Sequence, residues 1–213
     1  MTTPAKTTTE ETERPPMRRV PRQQRSRERV DRLLAAAEGL IAETGADALK
    51  MNAVAERAGV PIGSLYQYFP DKSALMHALA DRSFAECRRC IEEALAPVRT
   101  PEELAAAFDD LIEEYYAIFR AEPVIRDIRS GALADKALQA LEREDGRRTG
   151  ALLADALARV KPAADRETLF VAAYLIMQFG ETTMRLALAE DRATADALVA
   201  AYKRMALAEI ARL

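Results

Sequence analysis

Hydrophobic residues recur along this chain at the three- and four-residue spacing of amphipathic helices, and glycine and proline divide the pattern into segments. One such segment stops at Gly45, where glycine can end a helix. Alternation with a period of two, typical of strands, is hard to find. We therefore predict an all-α fold. Outside residues 45–70, the predicted helices cover about residues 26–44, 71–96, 101–121, 124–130, 134–160, 166–190 and 195–213, of which 124–130 is short.

Capping signals support several of these boundaries. Thr100 and Glu103 have the spacing of a capping box, with proline at the first helical position between them. Asp165 and Thr194 are the predicted N-caps of the last two helices. These signals predict sharp starts for three helices of the C-terminal part.

Length and composition agree with one sizeable core and a small additional domain. The chain has 213 residues, of which 49% are hydrophobic. No run of about 18 apolar residues is present, so no transmembrane helix is expected. The first residues are rich in Thr and Glu and do not have the apolar core of a signal peptide. We expect a cytoplasmic protein.

The segment 52–72 predicts two short helices joined by a turn. Val54, Ala55 and Ala58 give the first helix an apolar side. Gly59 follows where that helix must end. In the second helix Leu65 is predicted to anchor inward, as is Phe69 four residues later. This arrangement is a helix-turn-helix, whose second helix can enter the major groove of DNA.

The amino-acid sequence of this motif also resembles that of a known protein family. Residues 55–60 read AERAGV, residues 63–66 read GSLY and residues 68–72 read YFPDK, followed by Leu75. These features are similar to the DNA-binding domain of the TetR family of bacterial transcription regulators, over about residues 27–80. One position departs from the family, which usually has threonine where this chain has Lys50. The helix N-cap is therefore weaker here.

The resemblance implies a regulator that binds a palindromic DNA operator as a homodimer and responds to a small molecule, and a repressor is the expectation. It also implies an N-terminal three-helix DNA-binding domain and a C-terminal helical bundle for ligand binding and dimerisation. We assign residues 1–24 to a disordered basic arm, 25–71 to the DNA-binding domain and 72–213 to the C-terminal domain. The predicted DNA contacts are Asn52, Ser64 and Gln67 to bases, and Lys50, Tyr66, Tyr68 and Lys72 to phosphates.

The distribution of charge fits this division better than the net charge of −3 does. Residues 14–82 hold 12 Lys or Arg against 8 Asp or Glu, whereas residues 83–213 hold 18 against 23. Arginines are frequent in residues 14–29, so the end of the arm is predicted to contact phosphates. The alternative is a flexible tail whose arginines only aid solubility.

The predicted helix 166–190 is apolar on two sides and needs two surfaces to bury against. One would be the core of its own domain, and the other the same helix in a second copy, as the resemblance also implies. The alternative is a central helix buried in a monomer. The predicted dimer-interface residues are Ala172, Ile176, Phe179, Thr183, Leu198, Tyr202 and Met205.

The resemblance also implies a ligand pocket inside the C-terminal domain, where ligand entry moves the helix that begins near residue 71. The alternative for each aromatic or methionine residue there is ordinary packing. The predicted ligand contacts are Phe108, Leu111, Tyr115, Phe119, Ile125, Tyr174, Met177 and Gln178.

Cys87 and Cys90 are the only cysteines and lie three residues apart on that same predicted helix. They leave open a thiol-based redox-responsive regulator, in which a disulfide would bend the helix. With a single histidine, His77, on the same helix, no metal site is predicted.

We predict neither a cofactor nor a catalytic residue, because glycine-rich phosphate loops and workable Ser, His and Asp arrangements are absent. The chain is therefore not expected to be an enzyme. A helical adaptor that no longer binds DNA remains a further alternative, supported by Lys50.

Overall fold

The structure, a computed structural model, describes residues 22–121 and 136–213. Within these ranges the chain is helical and contains no strand, which confirms the predicted all-α class. The helices are α1 (Arg22–Thr44), α2 (Met51–Arg57), α3 (Ile62–Tyr68), α4 (Lys72–Leu95), α5 (Pro101–Ala121), α6 (Lys136–Val160), α7 (Arg166–Leu188) and α8 (Arg192–Arg212).

Helices α1 to α3 and the first half of α4 form the head, which has its own hydrophobic core. Leu65 of α3 and Leu75 of α4 are fully buried in this core, and Phe69 between them is 6% exposed. Gly45 and Gly59 follow the ends of α1 and α2 with φ of 82° and 65°. Both are therefore in the left-handed region that favours glycine, as the predicted helix ends require.

The boundaries of the helices follow their capping residues. Thr100 accepts from the Glu103 amide, and the Glu103 carboxylate accepts from the Thr100 amide, so the predicted capping box is present. Asp165 caps α7 by accepting from the Thr168 amide at 2.8 Å. The prediction for the last helix was wrong, because Asp191 and not Thr194 caps it. The Asp191 carboxylate accepts from the Thr194 amide at 3.1 Å, and α8 begins at Arg192.

The start of the chain differs from the prediction in one respect. Helix α1 begins at Arg22, four residues before the predicted start at Ser26, so the last residues assigned to the arm are helical. Residues 1–21 and the predicted short helix 124–130 lie outside the described residues.

The body consists of the second half of α4 together with α5 to α8, around a second hydrophobic core. Helices α6 and α7 approach closely at Gly150, where an added Cβ would lie 2.9 Å from the Tyr174 Cα. Helix α6 also reaches the head, because Leu138 in its first turn is buried in the head core. Among the described helices, none is both long and apolar enough to cross a membrane.

Candidate functional site

Helix α3 presents a polar and aromatic face outward from the head. Leu65 is fully buried and anchors the helix, while Gln67 is exposed and Tyr66 is 47% exposed. Ser64 is half-buried on the same short helix. The face offers amide and hydroxyl groups at the surface, the groups that hydrogen-bond to base edges and phosphate oxygens.

Two of the predicted phosphate contacts already have partners within the head. The Tyr68 hydroxyl accepts from Ser26 of α1 at 3.3 Å, and the Lys72 ammonium donates to the Asp47 carbonyl oxygen at 2.9 Å. A phenol that accepts one bond still has its own proton to donate, and an ammonium has three donors. Both groups are therefore held in place while they retain the capacity to bind an anion.

The start of α2 contributes two exposed polar residues, Lys50 and Asn52. Lys50 occupies the N-cap position but makes no side-chain capping hydrogen bond, which confirms the weak cap that the sequence predicts. The far end of α2 is joined to α1 by an ion pair of 2.7 Å between Arg57 and Glu43. The hydrogen bond from Arg57 lowers the pKa of the Glu43 carboxyl.

A cavity of about 330 Å³ lies in the body among α4, α5, α6 and α7. Its volume falls in the range of small-molecule sites in proteins. Tyr202 of α8 also lines the cavity, and its hydroxyl donates to the Ile176 carbonyl oxygen at 2.7 Å. Burial raises the pKa of that hydroxyl. Five of the predicted ligand contacts line the cavity: Phe108, Leu111, Tyr115, Met177 and Gln178.

Two further predicted contacts, Phe119 and Tyr174, are not among the residues that line this cavity. Phe119 is fully buried in the core, where its ring packs 4.8 Å from that of Tyr115 and supports it. Tyr174 lies where α7 meets Gly150, and its ring is directed to the Arg147 guanidinium at 5.7 Å. Ile125 is outside the described residues. Phe119 and Tyr174 therefore stay predictions as ligand contacts, without a place in the lining of this cavity.

The polar part of the lining was missed by sequence reasoning. Asp145 of α6 is buried and forms an ion pair with Arg88 of α4, so the cavity wall joins these two helices. Glu181 of α7 accepts a hydrogen bond from Tyr115. The available signal was the order of residues in α6, where an aspartate directly precedes Gly146 in mid-helix. A glycine inside a helix favours a close packing contact at that position, and the aspartate beside it places a carboxylate near the contact.

The apolar residues of α7 that are exposed form a surface that we call the α7 apolar face: Val171, Leu175, Phe179 and Leu186. Of these, Phe179 is a predicted interface residue and is 59% exposed. On α8 the predicted interface residue Met205 is 66% exposed, so two of the predicted residues are at the surface.

The remaining predicted interface residues lie deeper. Ile176 and Tyr202 are 6% and 3% exposed within their own core, so they have little surface to offer a second copy, and their place at an interface stays a prediction. Ala172, Thr183 and Leu198 are half-buried.

Two family models match this chain and together cover most of the described residues. Residues 33–79 match the model of bacterial regulatory proteins of the tetR family. Residues 102–213, more than half of the chain, match the model described as a tetracyclin repressor-like C-terminal domain. The first match contains α2, α3 and the start of α4, and the second contains nearly all of the body.

Individual relatives agree with these matches. The HTH-type transcriptional repressor KstR of Mycolicibacterium smegmatis is 45% identical over 58 residues, which are 27% of this chain and only 28% of that repressor. A TetR-family transcriptional regulator from Streptomyces coelicolor covers 88% of this chain and 98% of its own, with 28% identity and a TM-score of 0.68. The TetR family repressor AlkX from Dietzia shares the fold at 20% identity, over 86% of this chain and 96% of its own, with a TM-score of 0.61.

Proposed function

Because this chain belongs to the TetR family of bacterial regulatory proteins, we propose that it represses transcription from a palindromic operator until a small molecule releases it. In this proposal it acts as a homodimer in the cytoplasm. The matched relatives named as repressors support the direction of control.

Helix α3 enters the major groove in this proposal. Gln67 is exposed and can form a bidentate pair with adenine, while Ser64 and Asn52 reach neighbouring base edges. The groups held within the head, Tyr68 and Lys72, contact phosphates and fix the docking angle. Lys50 and Tyr66 complete the phosphate contacts.

Two copies are joined through the α7 apolar face and Met205 of α8. The two helices of one copy pack against the same two helices of the other and form a four-helix interface, in which exposed apolar side chains are buried. A two-fold axis brings the same residues of each copy together. Dimerisation places two α3 helices about one DNA turn apart, roughly 34 Å, which one copy cannot do.

Release by a small molecule rests on the continuity of α4. This single helix of 24 residues has Leu75 in the head core, while Ile91, further along it, lines the cavity in the body. A molecule that enters the cavity presses directly on the helix that carries the head. Since packed helices shift as rigid elements, a small displacement at the cavity changes the separation of the two heads.

Selection of DNA from a random pool with the purified full-length protein, at two salt concentrations, tests the proposal. We expect a palindrome whose half-sites are about one helical turn apart, with weaker binding at the higher salt. Failure to enrich any sequence at either salt contradicts DNA binding as proposed. Enrichment of a single half-site, without its inverted copy, contradicts the dimer.

Two substitutions separate base contacts from phosphate contacts on the selected site. Gln67→Ala is expected to blur the sequence preference, at a cost of about 1–3 kcal/mol on the preferred site. Lys72→Ala is expected to weaken binding to all sequences and to flatten the salt dependence by about one unit of slope. Because Lys72 also donates to Asp47, the unfolding midpoint of each variant is the control. A change of preference in Lys72→Ala with an unchanged salt slope contradicts the assignment.

A further inference from the structure

The two cysteines of the chain line the cavity. Cys87 and Cys90 are both half-buried on α4, and neither forms a disulfide. Ser83 and Ile91 on the same side of α4 also contribute to the lining. A molecule held in the cavity therefore lies beside two cysteines on the helix that connects body and head.

We propose that Cys87 and Cys90 form a covalent capture site for an apolar electrophile whose carbon–carbon double bond is activated by a neighbouring carbonyl. Quinones and maleimides belong to this chemical class. The site adds a covalent route of control to the reversible effector of the proposed function.

The reaction is a conjugate addition that needs no further reactant. The thiol loses its proton to water, and the thiolate sulfur forms a bond to the β-carbon of the double bond. The electron pair of the double bond moves towards the carbonyl, and the α-carbon takes up a proton from water. The sum is one thiol and one alkene giving one thioether, with no oxidant or reductant involved.

The geometry of α4 favours addition over the disulfide that the sequence leaves open. Residues three apart on a helix have Cβ atoms about 5–6 Å apart, whereas a disulfide needs about 3.5–4.5 Å. Cys87 and Cys90 lie in the second half of a continuous helix, with further helical residues on either side of them. A disulfide would have to distort that helix, but an adduct forms without any movement of one sulfur towards the other.

The lining selects an apolar reagent. Phe108, Ile118 and Met177 contribute rings and aliphatic surface to the cavity. Among the described residues, five carboxylates line the cavity against one guanidinium, that of Arg89, and two of the five, Glu86 and Glu114, are exposed. An anionic reagent is therefore repelled on approach. The site therefore favours a neutral aromatic electrophile over a charged one with the same reactive group.

The site is tested with N-phenylmaleimide, which is apolar and reactive, and with two reagents that each differ from it in one property. N-phenylsuccinimide has nearly the same shape but no double bond, and N-(4-carboxyphenyl)maleimide keeps the ring and the double bond and adds a carboxylate. Each is incubated with the full-length protein, and adducts are counted by intact mass. The Cys87→Ser/Cys90→Ser double variant is treated in parallel, with its own untreated DNA affinity as the reference.

We expect N-phenylmaleimide to add one equivalent per chain, with a rate that levels off as its concentration rises, because binding in the cavity precedes reaction. The acid is expected to react at least about tenfold more slowly, a ratio corrected for the reactivity of each reagent towards glutathione. A rate that rises linearly, or equal corrected rates for the two maleimides, overturns the capture site.

The expected effect of the adduct on operator affinity rests on the proposed function. Operator affinity is expected to fall by about tenfold or more in the adduct, while the succinimide and the double variant show no such covalent loss. Full affinity in the stoichiometric adduct overturns the control by capture. The mass measurement needs no DNA, so a failed DNA selection does not affect it. A different result is that peroxide lowers the mass of the protein by two hydrogens and abolishes operator binding, while the maleimide adduct still binds the operator. In that case a disulfide, and not conjugate addition, controls DNA binding.

Discussion

Two glycines in the DNA-binding motif have different roles at the level of the single residue. Gly59 ends α2 with φ of 65°, whereas Gly63 lies inside α3 in a conformation open to any residue. An added Cβ would meet no atom within 4 Å at either position, so contacts do not distinguish them. The difference between them is one of backbone conformation alone.

Gly59→Ala is therefore expected to destabilise the head by about 1–2 kcal/mol, the penalty for a left-handed L-residue. Gly63→Ala is the matched control and is expected to be neutral or to stabilise by up to about 1 kcal/mol. Urea unfolding of the DNA-free protein, followed by circular dichroism, measures both. Equal midpoints for the two variants would contradict the assigned role of Gly59.

The sequence predicts which side chains of a helix face the core where a glycine or proline fixes the start of that helix. Leu65 and Phe69 follow closely after Gly59 and Pro61, and both are buried as predicted. Helix α7 runs for 23 residues and is apolar nearly all round, so its pattern allows several orientations. Hydrophobicity alone therefore could not tell whether Ile176 faces the core of its own protomer, where it is 6% exposed, or a second copy.

At the level of the element, helix starts were predictable from local chemistry, since the capping partners lie within three residues of each other. Among the starts for which a cap was predicted, the exception is α8, because Asp191 and Thr194 both have side chains suited to an N-cap. In the structure they cooperate: Asp191 accepts from the Thr194 amide and also from its hydroxyl at 2.9 Å. The sequence offers both residues, and only the backbone hydrogen bonds distinguish them.

The cap of α8 gives a pH dependence. The backbone hydrogen bond from Thr194 lowers the pKa of the Asp191 carboxyl from its ordinary value of 3.8. The folded state then binds fewer protons than the unfolded chain, so the stability that the charged cap contributes is complete above pH 3.8 and is lost as the pH falls through the lowered value.

Asp191→Asn tests this dependence, because asparagine also caps helices but does not titrate. We expect the melting temperatures of the two proteins to converge as the pH is lowered from neutral to below 3.8. A difference between the two melting temperatures that is independent of pH would exclude the contribution of Asp191.

The contact between α6 and α7 gives a prediction from a second pair of glycines. At Gly150 an added Cβ would lie 2.9 Å from the Tyr174 Cα, which is backbone and moves only with its helix. At Gly146 the nearest atom would be the Gln178 Oε1 at 2.3 Å, the end of a flexible side chain. The same substitution therefore meets a rigid obstacle in one case and a movable one in the other.

Gly150→Ala is expected to destabilise the body by about 1–3 kcal/mol, as overpacking does. For Gly146→Ala the displacement of Gln178 is offset by a gain in helix propensity of about 1 kcal/mol, so a smaller effect is expected. Chemical unfolding compares the two variants directly. If Gly146→Ala were the more damaging, the close approach of α6 and α7 would be centred on Gln178 and not on Tyr174.

At the level of the whole molecule, α4 and α6 each take part in both cores. Leu138 of α6 is buried in the head, while Asp145, two turns later, pairs with Arg88 of α4 at the cavity wall. The sequence predicted a head, a body and a helix between them, but it could not bring together polar residues that are 57 positions apart. Pairing across that distance is set by the packing of the two helices, which leaves no periodic signal in either one.

The proposed dimer depends on an apolar surface that the protomer leaves exposed, and Phe179 is the most exposed residue of the α7 apolar face. Phe179→Glu places a carboxylate of each copy near the two-fold axis, where burial of like charges is unfavourable. We expect this variant to sediment at the protomer mass of 23.5 kDa, the wild type at twice that mass, and operator affinity to fall with the loss of the second α3. Ala106→Glu adds the same charge at an exposed position of α5 and is expected to remain a dimer. A Phe179→Glu protein that is still dimeric would show that the copies meet elsewhere, and a monomeric wild type would leave α3 able to read only a half-site.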